Sequence, residues 1–271
     1  MRIDGAKIAE EIKAGLLMRI EELTQRGITP KIAIITLGDE SSWEAYVRQK
    51  IKVASELGIT AELINLKDAD QVKLIETIKK IDDDKSYHGV IVQRPMPPTI
   101  ERLAVVEAIS KKKDVDGFRT DSMFKVPVWL AVKRLVEQAT AADWNTQKFV
   151  VIGKGETAGG PIARGLTSLG IKPTVVDSKT ENPESITKQA DVIITCVGKS
   201  HVVTKDNIKN GAIVIGVGTH DENGKIRGDF EESEIENIAG SFTPTPGGVG
   251  PVNLSYLFSN LIQAAKNLSS N

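Results

Sequence analysis

Apolar positions along the chain switch between two spacings, and the switches outline its elements. Ile8, Ile12, Leu16, Leu17 and Ile20 recur at helical spacing, which predicts an amphipathic helix with one buried stripe, and Gly27 follows as its stop. Lys31-Ile-Ala-Ile-Ile-Thr-Leu37 is a short apolar run of the kind that fills a strand buried on both faces. The alternation repeats: 41–57 reads as a helix, 61–66 as a strand, 70–81 as a helix and 88–93 as a buried strand. Helices are predicted over 101–109 and 126–137, the second with Pro127 in its first turn. Helix following strand implies right-handed βαβ units and a parallel sheet covered on both faces.

A polar stretch over 140–147 precedes a second series, with strands predicted over 148–153, 173–177, 191–198 and 212–218. This is Rossmann-like organisation. Leu257, Leu261, Ala264 and Leu268 predict a final helix over 254–268. A chain of 271 residues exceeds the usual single domain, so two α/β domains are expected. The 35 basic and 36 acidic residues nearly cancel, which removes the electrostatic footprint of a nucleic-acid or membrane binder. Lys111-Lys112-Lys113 reads as a solvated helix end. The single Cys196 excludes an intrachain disulfide and a cysteine-cluster metal site. Its apolar neighbours suggest a buried strand residue, and a reducing compartment fits. No apolar run approaches the roughly 18 residues of a membrane span and no signal core precedes the first helix, so a soluble, cytoplasmic protein is expected, with no metal.

Several segments carry candidate chemistry. Phe242-Thr-Pro-Thr-Pro-Gly-Gly-Val-Gly-Pro251 holds three prolines and three glycines in ten residues, a composition that neither a helix nor a central strand should tolerate; it is either a rigid turn or a backbone surface for a flat ligand. Tyr46 and Lys50 form an i, i+4 pair on one helix face, with Trp43 on the same side. Gln93 ends a predicted strand, where open α/β sheets place ligands, and Lys113-Asp-Val-Asp-Gly117 is a turn of Asx type. Gly153-Lys-Gly-Glu-Thr-Ala-Gly-Gly-Pro161 sits between a strand and a helix. Gly153 and Gly155 match the first two positions of a dinucleotide fingerprint and Ala158 the third. Asp177 follows 24 residues after Gly153, near the usual place of the acid that binds the NAD ribose.

Taken together, TPTPGGVGP, YVRQK and KDVDG resemble, in order and spacing, the bifunctional methylenetetrahydrofolate dehydrogenase/cyclohydrolase family, and the resemblance runs over essentially the whole chain. It implies an N-terminal parallel-sheet α/β domain (1–139 plus 252–271) that binds folate, a Rossmann-like nucleotide-binding domain (140–251), and a cleft between them holding the Pro/Gly loop. It implies that Tyr46 stacks on the substrate, Lys50 is the central catalytic group, Gln93 bonds and holds that lysine, and Asp116 accepts the pterin N–H donors. Asp114 orders the turn. Pro246, Gly247, Gly248 and Val249 are implied in folate binding, and Gly153, Lys154, Gly155, Asp177, Ser178, Lys179 and Gly198 in nucleotide binding. Lys154 and Gly155 stand where the family has Arg-Ser, and Asp177 replaces a common histidine. NADP is favoured by the resemblance, with NAD an alternative.

Arg94 departs from a family leucine and is expected either to reach a folate glutamate tail or to face solvent. Pro127-Val-Trp-Leu-Ala131 departs from Pro-Cys-Thr-Pro, so Trp129 is expected to reshape the cleft wall. The implied activity is oxidation of 5,10-methylenetetrahydrofolate with NAD(P)⁺ and hydrolysis of the methenyl product to 10-formyltetrahydrofolate, in a homodimer that feeds purine biosynthesis. The alternatives are another two-domain NAD(P) dehydrogenase, resembling shikimate dehydrogenase, and a folate- or nucleotide-binding protein without catalysis. Cofactor preference, the ratio and direction of the two activities and the dimer surface are not written in the sequence.

Overall fold

The computed structural model describes residues 1–38 and 44–269; Trp43 and the first residues of the predicted 41–57 helix lie outside these. The chain forms two compact units, one of Glu11–Pro127 with Leu254–Asn271 and the other of Met1–Glu10 with Val128–Asn253. Its first elements are α1 (Gly5–Gln25), β1 (Lys31–Leu37), α2 (Glu44–Glu56), β2 (Thr60–Leu66), α3 (Gln71–Asp83), β3 (Gly89–Val92) and α4 (Arg102–Ala108). Then come α5 (Pro127–Ala139), β4 (Phe149–Ile152), α6 (Gly159–Ser168), β5 (Thr174–Val176), α7 (Pro183–Thr187), β6 (Val192–Thr195) and β7 (Ile213–Gly216). The last are β8 (Thr219–Glu222), β9 (Lys225–Gly228), α8 (Glu232–Ile235), β10 (Ser241–Phe242) and α9 (Val249–Leu268).

In the first unit the sheet order is β2-β1-β3, all parallel. The central β1 is buried along almost its whole length, which is why it reads as a continuous apolar run, whereas edge strand β2 is half-exposed. Strand alternation divides the core in two. Ala33, Ile35, Val90 and Val92 pack with Leu74 and Ile78 of α3 and Val105 of α4. On the opposite face Ile32 and Ile91 pack with Leu16 and Ile20 of α1 and Leu257, Phe258 and Leu261 of α9, and Ile34 packs with Val47 of α2. Each such fully buried side chain contributes roughly 1.5–3 kcal/mol of transfer free energy, so α1, α2 and α9 are held by their apolar stripes. Gly27, at φ +74°, ends α1 as expected, and Asp70 caps α3 by accepting from the Lys73 N–H at 2.8 Å.

The second unit carries a parallel five-stranded sheet of order β10-β7-β6-β4-β5. Four sequence expectations change here or in the first unit. Lys113 is not a solvated helix end: it is buried, and its Nζ donates to the carbonyls of Ile81 at 3.3 Å, Asp82 at 2.5 Å and Asp84 at 2.8 Å, satisfying the orphan acceptors at the end of α3. Cys196 lies one residue beyond β6 and is half-buried. Trp129 is buried against α6, where a side chain on Gly165 would meet its ring at 2.2 Å; it is a packing residue.

The Pro/Gly segment is not all loop. Phe242 pairs with Val214 at a sheet edge, and Val249–Pro251 form the first turn of α9, where a proline's missing N–H has no helical partner to lose. An antiparallel β8–β9 hairpin was not anticipated. Its signal was Asn223-Gly224, both at positive φ, the two-residue turn that suits strand twist.

Candidate functional site

Lys50 stands three residues after Val47, the residue that anchors α2 to the sheet, so its side chain shares the inward side of the helix. It is half-buried, and its Nζ donates to Gln93 Oε1 at 2.7 Å. Gln93 follows β3 directly, buried, with its backbone N–H on the Ile35 carbonyl. Its Nε2 donates to the Arg94 carbonyl at 2.7 Å, which leaves only the amide oxygen facing the lysine. In the order β2-β1-β3 the chain reverses direction between β1 and β3, so this pair sits at the topological switch point.

The Lys113–Gly117 turn, which follows α4, is held from several sides. The Asp114 carboxylate accepts from the N–H groups of Arg119 at 2.9 Å and Phe118 at 3.3 Å, as expected of a turn-ordering residue. Gly117 has φ +68°, and a side chain there would strike the Phe124 carbonyl. Asn260 of α9 donates from Nδ2 to the carbonyls of Val115 and Lys125, both at 2.9 Å. Sequence reasoning missed Asn260; its signal was a polar residue within the apolar stripe of Leu257, Leu261 and Ala264.

The turn so held presents Asp116 close enough to Lys50 for each to affect the other's charge. Burial holds the Lys50 ammonium below the ordinary lysine range, against the opposing pull of Asp116. Burial raises Asp116 to about 6, aided by the Asp114 charge and opposed by Lys50 and Arg94. Arg94 is partly exposed, and its guanidinium lies over the Phe118 ring at 4.4 Å. Tyr46, four residues before Lys50, is 52% exposed.

In the second unit the sheet reverses direction between β4 and β6, and the loops after these strands meet. Gly153 has φ +93°, and a side chain there would lie 2.9 Å from the Cys196 carbonyl. A side chain at Gly159 would come within 1.9 Å of the Gly153 carbonyl, so the close helix–strand packing falls on Gly159, one residue after Ala158. Gly155 faces open space. This backbone, opening into α6, is the kind of cradle a pyrophosphate needs.

Asp177 follows β5 with its carboxylate pulled to about 2, first by Lys154 and then by the Lys179 N–H. Lys154 Nζ lies 2.6 Å from its Oδ2, and the Lys179 N–H donates to Oδ1 at 2.9 Å. Ser178 and Lys179 are exposed. Gly198 has φ +74°, and its N–H donates to Asp229 Oδ1 at 2.6 Å. Asp229 is fully buried and also accepts from Lys199 N–H at 2.9 Å, Val197 N–H at 3.0 Å and Thr195 Oγ1 at 2.7 Å, so one carboxylate fixes the loop after β6. It too was missed, because a lone Gly-Asp-Phe carries no local sign of burial.

The loop between β10 and α9 is tied to the N-terminus. Ala6 N–H donates to the Gly247 carbonyl at 3.0 Å, and side chains on Gly5 or Gly248 would strike backbone carbonyls at 2.0 and 2.5 Å. Pro246 is exposed and Gly247 half-exposed, while Gly248 and Val249 are buried. Among the described residues no group of three or more His, Cys, Asp or Glu side chains is placed to hold a metal ion, and no helix is long and apolar enough to cross a membrane.

Residues 3–116 match the family described as tetrahydrofolate dehydrogenase/cyclohydrolase, catalytic domain, and residues 129–269 the one described as tetrahydrofolate dehydrogenase/cyclohydrolase, NAD(P)-binding domain. The chain belongs to the tetrahydrofolate dehydrogenase/cyclohydrolase family. It is 35% identical to the bifunctional protein FolD of Staphylococcus aureus over 97% of this chain and 96% of that one. The crystal structure of the bifunctional FolD enzyme of Campylobacter jejuni superposes with a TM-score of 0.93 at 33% identity, covering 98% of this chain and 99% of that one. The Trypanosoma brucei enzyme, solved with NADP cofactor and an inhibitor, gives a TM-score of 0.93 at 27% identity, covering 100% and 99%. Family membership decides for the folate reading over the shikimate-dehydrogenase-like one, and in this family the sequence match divides as the motifs do: YVRQK and most of KDVDG fall in the catalytic match, and the glycine loop in the NAD(P)-binding match.

Proposed function

We propose that this chain oxidises 5,10-methylenetetrahydrofolate and hydrolyses the methenyl product to 10-formyltetrahydrofolate, with Lys50 as the group that acts on water. The carrying observation is the Lys50–Gln93 hydrogen bond at 2.7 Å beside Asp116 in one half-buried cluster. When bound, NAD(P)⁺ accepts a hydride. The chain's own part in that step is positioning, with Tyr46 offering a ring face to the substrate and Asp116 accepting the pterin N–H donors. In hydrolysis water attacks the amidinium carbon, its oxygen bonds there, the ring C–N bond opens and one proton is released. A lysine held below its ordinary range supplies an amine to receive that proton, and Gln93 keeps the amine aimed.

Residues 1–139 with 252–271 are assigned to folate and 140–251 to the nucleotide, supported by where Lys50, Gln93 and Asp116, and then Gly153, Gly155 and Lys179, fall along the chain. Pro246, Gly247, Gly248 and Val249 are assigned to the folate site, Gly247 through its half-exposed backbone and the buried pair as its support. NADP is the proposed nucleotide, supported by the exposed cations of Lys154 and Lys179, and a cytoplasmic homodimer supplying purine synthesis is the proposed setting. The test supplies methylenetetrahydrofolate with NADP⁺ or NAD⁺ and follows reduced nucleotide, methenylfolate and formylfolate together; absence of either activity overturns the bifunctional assignment.

Asp116 carries a pH prediction. Its pKa near 6 means that it takes up a proton as pH falls through 6 and then loses the charge that accepts the pterin donors. Tetrahydrofolate affinity should fall between pH 7 and 5, and calorimetric titrations of Asp116→Asn should lack that inflection. Because the folded pKa is raised, ionisation costs stability at neutral pH, and the stabilising contribution exists only below that value. Asp116→Asn should therefore unfold at a higher temperature at pH 7.5 while binding folate more weakly and nucleotide as before.

Lys154 and Asp177 carry another. Lys154→Ala should weaken NADP binding roughly 10- to 100-fold, as for a lost hydrogen bond to a charged group, and NAD binding little. Asp177→Ala should favour NADP by removing a like charge and releasing Lys154. Equal losses for both nucleotides on Lys154→Ala would remove the 2′-phosphate role.

A further inference from the structure

One buried hydroxyl in the first unit has no use in the fold. Thr36, in the central strand β1, is completely buried, and its Oγ1 has no hydrogen-bond partner among the described residues. Buried hydroxyls are almost always paired, because leaving one unpaired costs about 1–3 kcal/mol. Valine would fill the same volume at no such cost, so the position asks for a reason.

Its place supplies one. Side chains alternate along β1, and Ile34 and Ile32, two and four residues earlier, face the side covered by α1, α2 and α9. Thr36 therefore faces the side on which Val47 of α2 packs against Ile34. Across the sheet Ile35 aligns with Val92, so the next aligned pair is Thr36 and Gln93, and aligned residues in parallel strands point to the same face. Gln93 is the residue that accepts from Lys50 Nζ. Continuing that register puts Thr36 on the same face of the sheet as Gln93 and one strand over from it, with no hydrogen bond from the hydroxyl to the amide or the lysine in this structure. The charged groups bearing on Lys50 are Asp116 and, through Asp116, Asp114 and Arg94; none of them is on β1.

We propose that Thr36 is a positioning residue for Lys50: its hydroxyl, unpaired in this structure, is drawn to the lysine beside Gln93 when substrate binds and follows it between its charged and neutral forms. A lysine that receives a proton changes from two donors and one acceptor to three donors. Gln93 Oε1 can only accept, so it serves the donors in both states and cannot serve the lone pair of the amine. A hydroxyl can do both: it donates to the amine and accepts from the ammonium. The inference rests on the assignment of Lys50 to hydrolysis, and it adds a residue whose polarity lowers stability in exchange for a steadier amine.

The experiment compares Thr36→Val, Thr36→Ser and Lys50→Met in the full chain, measuring methenyltetrahydrofolate hydrolysis over pH and thermal unfolding. Thr36→Val should lower kcat for hydrolysis about tenfold, less than the roughly 10²- to 10⁴-fold of a general acid–base group itself because Thr36 acts through Lys50, with KM within about twofold. Its lysine limb should move to lower pH, because an acceptor for the ammonium has been withdrawn, and its unfolding temperature should stay level or rise. Thr36→Ser should restore kcat and the pH limb. Parent kcat and pH profile in Thr36→Val overturn the proposal. So do equal kcat losses in the Val and Ser variants with lowered unfolding temperatures, which would mean packing. Lys50→Met that hydrolyses at the parent rate would instead overturn the lysine assignment on which the proposal stands.

Discussion

Lys50→Met should lose cyclohydrolase activity by on the order of 10³-fold, within the span of a general acid–base group, while retaining part of its dehydrogenase activity. The two reactions separate because hydride removal needs substrate and nucleotide held in place, whereas hydrolysis also needs a group that takes a proton from water. Methionine keeps much of the apolar length along α2 and removes the ammonium, so the Val47–Ile34 contact that anchors the helix is untouched. Methenyltetrahydrofolate should accumulate when methylenetetrahydrofolate and nucleotide are supplied, and its decay should match the spontaneous rate. Circular dichroism provides the folding control. A folded variant that clears methenylfolate at the parent rate would leave Lys50 outside the mechanism.

Asp229→Ala should be the most destabilising single change in the second unit. The carboxylate is fully buried and takes four hydrogen bonds, from Thr195 Oγ1 and the N–H groups of Val197, Gly198 and Lys199. Its removal strands four donors at once, and at about 1–3 kcal/mol for each buried donor left unpaired, with partial rescue by entering water, a net loss of about 3 kcal/mol or more is expected. Urea unfolding should show a lower midpoint, and nucleotide affinity should fall as the loop after β6 loosens. Asp229→Asn keeps one acceptor oxygen and should lie between the two. Parent stability in the alanine variant would show that the loop holds itself.

Much of this was legible from residue order. The continuous apolar run of β1 and the helical stripes of α1 and α9 carry their own periodicity, since burying a parallel strand on both faces leaves no polar alternation to confuse it. The α3 start was legible in Asp70, whose side chain can satisfy an orphan N–H from one position only. Tyr46, Lys50, Gln93 and Asp116 stand in short motifs on a helix face, a strand end and a tight turn, and the roles proposed for them come from the family those motifs resemble. The β8–β9 hairpin was also legible in Asn223-Gly224, but its exposed, polar strands have no hydrophobic pattern to announce them.

The sequence by itself determined the alternation of strand and helix, the glycine-bearing loops and the residue types available for chemistry, because those depend on backbone sterics and on which side chains shun water. Tertiary structure alone decided which polar groups are paid for by partners far along the chain. Asp229 meets Thr195 across 34 positions, Asn260 meets Val115 across 145, and Lys113 caps a helix that ended some thirty residues earlier. It also decided that Trp129 packs inward, that Lys154 pairs with Asp177, and that the Thr36 hydroxyl is buried without a partner. Burial and hydrogen bonding are properties of what surrounds a residue, and in a parallel sheet those surroundings are brought in by crossovers whose neighbours no local window contains.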